Sequence, residues 1–265
     1  VSLGDENPMV RFAAVSALEY ASPQIKIKYL PKLLKDSNIR VRTEAAKILA
    51  PYGKDIEKTA LSADLNYAIK SYVEAQGAVA ETPAAHMNLG NLYITIGEPG
   101  KAQMEYEIAL DLDSLFVPGY ANLADLYRAK GDESMARKIL ERGLKIFPDN
   151  ASLNFALGLS LVRQKQLERS LVYLDKATYG DTSPRYYYVY FIALNTAEKP
   201  RKAVLILKKG LKRYPNDESL LIQAVQLYQK KNQVGKARVY ARRLTELVPE
   251  NRDYQNLLSG IDASR

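Results

Sequence analysis

From residue 68 onward, small and bulky apolar positions return at a fixed interval. Ala68, Ala102 and Ala136 stand 34 apart, Ser170 continues the ladder, and Ala203 and Ala237 follow at 33 and 34. Four residues after each comes a bulky side chain (Tyr72, Tyr106, Leu140, Leu174, Leu207), with Ala241 the exception. Three further on a small one returns at Ala75, Ala109, Gly143, Ala177 and Gly210. Ahead of the ladder, Leu89-Gly90, Leu123-Ala124 and Leu157-Gly158 keep the same spacing. Apolar residues at i, i+3, i+4 and i+7 give one buried stripe per helix. Small residues let two helices cross closely, and bulky ones fill the space beside the crossing. The pattern predicts helical hairpins, with turns at Ile96-Gly97-Glu98-Pro99, Lys130-Gly131-Asp132 and Lys231-Asn232-Gln233. Pro148, Pro215 and Pro249 close three second helices, because proline cannot extend the hydrogen-bond ladder. One hairpin cannot bury its own stripe, but a stack of them can. The expected fold is an all-α solenoid of stacked antiparallel helix pairs.

This unit length and small-large-small pattern resemble the tetratricopeptide repeat family. The likeness assigns five units to 83–116, 117–150, 151–184, 184–217 and 218–251, with a shortened fourth unit and a capping helix over 252–265. Residues 62–82 match the second helix of one further unit. At the place where the family carries an early aromatic, this chain has His86, Tyr120 and Asn154, then Tyr187 within the run Tyr186–Phe191. A packing role is expected for His86.

The first 50 residues keep another beat: Asp5, Val10 and Arg11 recur 31 residues later as Asp36, Val41 and Arg42. Ala13-Ala14 returns as Ala45-Ala46 at 32. This resembles the HEAT family, and the likeness implies an aspartate that caps a helix and pairs with an arginine of the neighbouring unit. Residues 1–53 are therefore expected to be an incomplete HEAT-like segment, with residues 23–35 as its intervening helix and 54–82 as junction and partial tetratricopeptide helix. The order of the two repeats, with Ala121–Tyr127 and Ala156–Leu159, is similar to the C-terminal repeat region of bacterial multihaem c-type cytochromes. That likeness implies a periplasmic parent protein.

Composition narrows the chemistry. Cysteine is absent, so disulfides, zinc-thiolate sites and C-x-x-C-H haem attachment are excluded within these residues. One histidine allows no multi-histidine metal site. No phosphate loop, dinucleotide fingerprint or EF-hand is present. Carboxylates two apart, such as Glu105 and Glu107, face different ways on a helix and make no acid-base pair. The opening VSLGDENP has neither the basic start nor the apolar stretch of a signal peptide and reads as the interior of a longer protein. Charge is uneven: residues 1–184 carry 22 Lys/Arg against 23 Asp/Glu, and 185–265 carry 16 against 7, within a net charge of +8.

No catalytic residue, metal ligand or cofactor is expected, and the partner is expected to be a protein or peptide rather than a small molecule. In the tetratricopeptide likeness the first helices line a groove. The positions facing it include Asn88 and Asn91 in the first unit, Asn122, Asp125 and Arg128 in the second, and Phe155 and Arg163 in the third. Tyr188 and Asn195 are the candidates in the fourth. Asn88 and Asn122 are 34 apart, and an amide that donates and accepts can hold a peptide backbone. The alternative is that these amides face solvent or bond between helices. Arg128 and Arg163 either contact carboxylates or belong to a solvated face. The cluster Lys208, Lys209, Lys212, Arg213, Arg238, Arg242 and Arg243 falls on second helices, where solvated charge is the default reading. An acidic partner or membrane surface ranks behind that default, and nucleic acid behind both. A docking role in a larger electron-transfer protein is the alternative that the cytochrome likeness raises.

Overall fold

The computed structural model describes residues 2–56, 59–180 and 183–263. Glu57 and Lys58 of the expected junction, and the last two residues of the expected capping helix, lie outside these. Among the described residues every regular element is helical. The chain divides into two compact units, Val1–Lys130 and Gly131–Arg265.

The first unit holds α1 (Pro8–Ala17), α2 (Pro23–Tyr29), α3 (Ile39–Leu49), the short α4 (Gly53–Ile56), α5 (Leu61–Gly77), α6 (Pro83–Thr95), α7 (Pro99–Leu112) and α8 (Val117–Ala129). Tight 3-10 turns cover Leu18–Tyr20, Pro31–Lys35 and Ala50–Tyr52. The helix expected over 23–35 ends at Tyr29, because Pro31 removes a donor and the chain tightens into a 3-10 turn. Two copies of one local device start α1 and α3. Asp5 Oδ1 accepts from Asn7 N at 2.9 Å, and Asn7 Oδ1 caps α1 at Met9 N. Asp36 and Asn38 repeat this at 2.8 Å, with Asn38 capping α3 at Arg40 N. Each helix then returns an arginine to the aspartate's own carbonyl, Arg11 to Asp5 and Arg42 to Asp36. The helix caps are thus the asparagines, not the aspartates the HEAT likeness implied. Its ladder is present: Arg11 donates to both carboxylate oxygens of Asp36 at 2.7 and 2.8 Å. That bidentate contact holds the Asp36 carboxyl below its usual range.

Beyond α3, helix α5 packs on α3 and on the 31–35 turn, and Arg42 Nε reaches Ser71 Oγ on α5 at 3.3 Å. Val15, Leu30, Leu34, Val41, Leu49, Leu65 and Ala68 close one core across these elements. The α6–α7 hairpin follows, with α8 stacked on α7.

The second unit holds α9 (Glu133–Ile146), α10 (Ala151–Arg163), α11 (Leu167–Ala177), α12 (Pro184–Thr196), α13 (Pro200–Arg213), α14 (Glu218–Lys230), α15 (Val234–Leu247) and α16 (Arg252–Ala263). Here α10 pairs with α11, α12 with α13 and α14 with α15, and α16 lies against α15. The small-residue ladder is the seam: Ala102, Ala136, Ser170, Ala203 and Ala237 are all buried. At Gly158 an added Cβ would stand 2.7 Å from Leu174 Cδ2, so the crossing of α10 over α11 depends on the missing side chain.

The hairpin turns share one backbone device. Gly97, Gly131, Lys165, Glu198 and Asn232 all have positive φ, at 81°, 82°, 59°, 55° and 54°. After four of them the next N–H bonds back to the helix: Glu98 to Tyr93, Gln166 to Leu161, Lys199 to Leu194 and Gln233 to Tyr228, at 2.7 to 2.9 Å. These 6→1 bonds close the last turn of each first helix.

Candidate protein-binding surfaces

The register position of the early aromatic has a task beyond packing. Tyr120 Oη donates to Ser114 O at 3.0 Å, Asn154 Nδ2 to Pro148 O at 2.9 Å and Tyr187 Oη to Thr178 O at 2.9 Å. His86 Nε2 lies 2.8 Å from Ala80 O. Each satisfies a carbonyl left open ahead of its helix. Donor capacity, rather than aromaticity, is what these four residues share, and it explains why an asparagine and a histidine serve. His86 Nδ1 lies 2.6 Å from Glu105 Oε2, so both ring nitrogens face acceptors.

Between residues 19–51, α5 and α6 of the first unit lies a cleft of about 500 Å³. Ile48, Pro51 and Leu92 supply apolar lining, and Tyr72, Asn88, Asn91 and Thr95 supply hydroxyl and amide groups. Glu19, Lys26 and Lys47 place both signs of charge on its wall. Lys47 is held by Glu44 at 2.8 Å. Burial pushes the Tyr72 hydroxyl above its ordinary value and the Glu44 carboxylate adds to that, so the phenol stays protonated and able to donate.

The amides in and beside this cleft have partners. Asn88 is exposed and donates to Gln76 Oε1 of α5 at 3.1 Å. Asn122 donates to Asn91 Oδ1 at 2.8 Å and to Met87 Sδ at 2.9 Å, both on α6. Asn91 Oδ1 also accepts from Tyr106 Oη at 2.7 Å. The equivalent pair Asn88 and Asn122 therefore does equivalent work, tying each first helix to an earlier helix. Asn88 and Asn91 line the cleft together and Asn122 supports Asn91 from behind. Asp125 and Arg128 are exposed and pair with each other at 3.0 Å along α8.

In the second unit the expected residues do not gather. Phe155 is buried at 7% exposure, stacked on Tyr186 with ring centroids 4.3 Å apart and with the Arg185 guanidinium 5.5 Å from its ring. It is core rather than groove, because Tyr186 of the next repeat closes over it. Arg163 donates to Glu133 Oε1 at 2.6 Å, and Ser160 Oγ donates to the other oxygen at 2.9 Å. That arginine joins α10 to the start of α9. Tyr188 is half-buried and Asn195 exposed on α12. Tyr187, Tyr190 and Phe191 of the aromatic run are core. Among the described residues no group of three or more His, Cys, Asp or Glu gathers to hold a metal ion, and no helix is long and apolar enough to cross a membrane.

Hairpins of one length, in register and paired in chain order, define a helical-repeat protein. HEAT repeats match residues 2–78, and tetratricopeptide repeats match 83–114 and 117–150. The chain thus carries both kinds of repeat, the HEAT repeats ahead of the tetratricopeptide repeats. The HEAT match runs through α5, the helix that packs on α3. Among solved structures, pilF of Pseudomonas aeruginosa aligns over 82% of this chain and 99% of its own at 18% identity, with a TM-score of 0.55. PilW, described as a widely conserved type IV pilus biogenesis factor, aligns over 80% and 98% at 16% identity, with a TM-score of 0.56. At these identities the likeness is one of fold.

Proposed function

We propose that the chain is a non-catalytic scaffold that binds an extended segment of a partner protein on its first-helix side, and in the first unit within the cleft beside Asn88. Repeat proteins of this kind present long surfaces that bind other chains. The supporting observation is the makeup of that cleft. An apolar strip from Ile48, Pro51 and Leu92 suits a side chain, while the amides of Asn88 and Asn91 and the hydroxyls of Tyr72 and Thr95 suit a peptide backbone. Asn91 is pre-oriented by Tyr106 and Asn122, so ordering it on binding costs little.

The test is selection from a library of extended peptides displayed on phage, panned against the full chain. Selected peptides are expected to bind and to slow hydrogen exchange in α6. Asn88→Arg, on an exposed site, is expected to block them and leave the fold intact. Peptides bound equally well by the Asn88→Arg and Thr95→Arg variants would place the site elsewhere and overturn the cleft reading.

A further inference from the structure

The second-helix side of the last two repeats carries charge that few acids of the fold neutralise. Helix α13, PRKAVLILKKGLKR, has six cations and no acid. At 3.6 residues per turn, Arg201, Lys202, Lys208, Lys209, Lys212 and Arg213 all fall within about 80° of Leu205. The opposite face, with Ala203, Ile206, Leu207 and Gly210, is buried. The ion pairs of this unit among the described residues are Arg137–Glu141, Arg163–Glu133, Lys176–Asp149, Lys199–Glu168 and Arg238–Asp262. None of them includes a residue of the α13 outer face.

Helix α15 lies beside α13. Arg243 donates to Asn216, just beyond α13, at 3.1 Å, and the Lys208 charge is close enough to act on the Tyr240 hydroxyl. Its outer face adds Lys236, Arg242 and Arg243 against one acid, Glu246. In the middle of each face stands an exposed aliphatic residue at the same place in the repeat, Leu205 at 54% and Val239 at 65% exposure. The equivalent residue one repeat earlier, Val172, is also exposed, but Glu168 and Asp175 on its own helix break the positive field there.

We infer that the outer face of α13 and α15 docks on an anionic lipid surface. Cations at this density are drawn to negative headgroups, and their long stems let the charge stay at headgroup level while the aliphatic tips enter the boundary below. The exposed aliphatic residues decide between lipid and nucleic acid. A phosphate backbone makes no use of Leu205 and Val239, and sequence-tolerant nucleic-acid binders place aromatic side chains among their cations for stacking. This face shares no residue with the cleft of the first unit, so the inference does not rest on the peptide reading.

The experiment is flotation of the full chain with phosphatidylcholine vesicles, with and without phosphatidylglycerol, over a series of salt concentrations. The chain is expected to float with the anionic vesicles alone and to release as salt rises. A cation near such a surface contributes about fivefold in partition, so K208E/K209E/K212E is expected to lower binding by at least about a hundredfold. K208Q/K209Q/K212Q is expected to do so less steeply. L205N/V239N, which keeps every charge, is expected to lower binding about tenfold. All three alter exposed positions, and unchanged melting curves establish that each variant is folded. Absence of flotation, equal flotation with neutral vesicles, or insensitivity to the charge variants would overturn the inference. So would tighter binding to duplex DNA at equal salt with L205N/V239N inert, which would reassign the face to nucleic acid.

Discussion

Replacing Gly158 by alanine tests the idea that the repeats are held by close helix crossings. The new Cβ would stand 2.7 Å from Leu174 Cδ2, 2.8 Å from Cγ and 3.3 Å from the Leu174 backbone nitrogen. Apolar carbons rest at about 3.5–4.0 Å, so the overlap is roughly 0.8 Å. Leu174 is fully buried, and its backbone is one of the crowded groups, so a rotamer change alone does not relieve the contact. Overpacking of this kind costs about 1–3 kcal/mol, against about 1 kcal/mol gained from alanine's better helix propensity. The expected net effect is a loss of up to about 2 kcal/mol. The control is Gly260→Ala on the exposed face of α16, where nothing lies within 4 Å of an added Cβ and about 1 kcal/mol of local gain is expected. Urea denaturation of the full chain followed by circular dichroism measures both. In a Leu174→Ala background the contacts with Cδ2 and Cγ disappear and only the 3.3 Å approach to the backbone nitrogen remains, so Gly158→Ala should lose most or all of its cost. If Gly158→Ala stabilises the unaltered chain as Gly260→Ala does, close crossing is not what the glycine provides.

Three further outcomes follow from particular residues. Glu198 holds φ of 55° at a hairpin turn, and Glu198→Gly is expected to raise stability by about 0.5–1 kcal/mol in the same denaturation assay. His86→Leu strips the Ala80 carbonyl and Glu105 of their partner, for an expected loss of about 1–3 kcal/mol, while His86→Tyr, following Tyr120, should lose less. Asp36 titrates below its usual value because Arg11 bonds both its oxygens, so the pair's contribution is complete above the ordinary aspartate range and is lost as pH falls through the depressed folded value. Asp36→Asn should therefore lower the melting temperature at neutral pH, with the gap to the unaltered chain closing in acid.

Much of the architecture was legible because it depends on volume. Ala102, Ser170, Ala203 and Ala237 announced a helical seam by size alone, and Gly97 announced a left-handed turn. Where polar geometry decided, the sequence was mute. Lys165 and Glu198 take the same left-handed turn with no residue type to mark it, since their flanking hairpins impose it. The asparagine caps at Asn7 and Asn38 stand two residues after aspartates that are equally good cap candidates by type, so residue identity does not choose between them. The spacing of the His86, Tyr120, Asn154 and Tyr187 donors is visible in the sequence, but residue type alone suggests ring packing rather than a shared hydrogen bond. In the candidate site, Asn88 and Asn91 could be placed from repeat position alone. That Asn122 would turn its amide to α6, that Arg163 would close on Glu133, and that Tyr186 would cover Phe155 depends on neighbours from other repeats. A single unit's pattern carries no record of those.

On the proposed function, this stack of hairpins recognises another chain through the cleft beside Asn88. Titration of a selected extended peptide into the full chain, read by calorimetry and repeated with Asn88→Arg, tests it most directly. Saturable binding to the unaltered chain is expected, abolished by Asn88→Arg while its melting curve stays in place. Equal affinity for both proteins would contradict it.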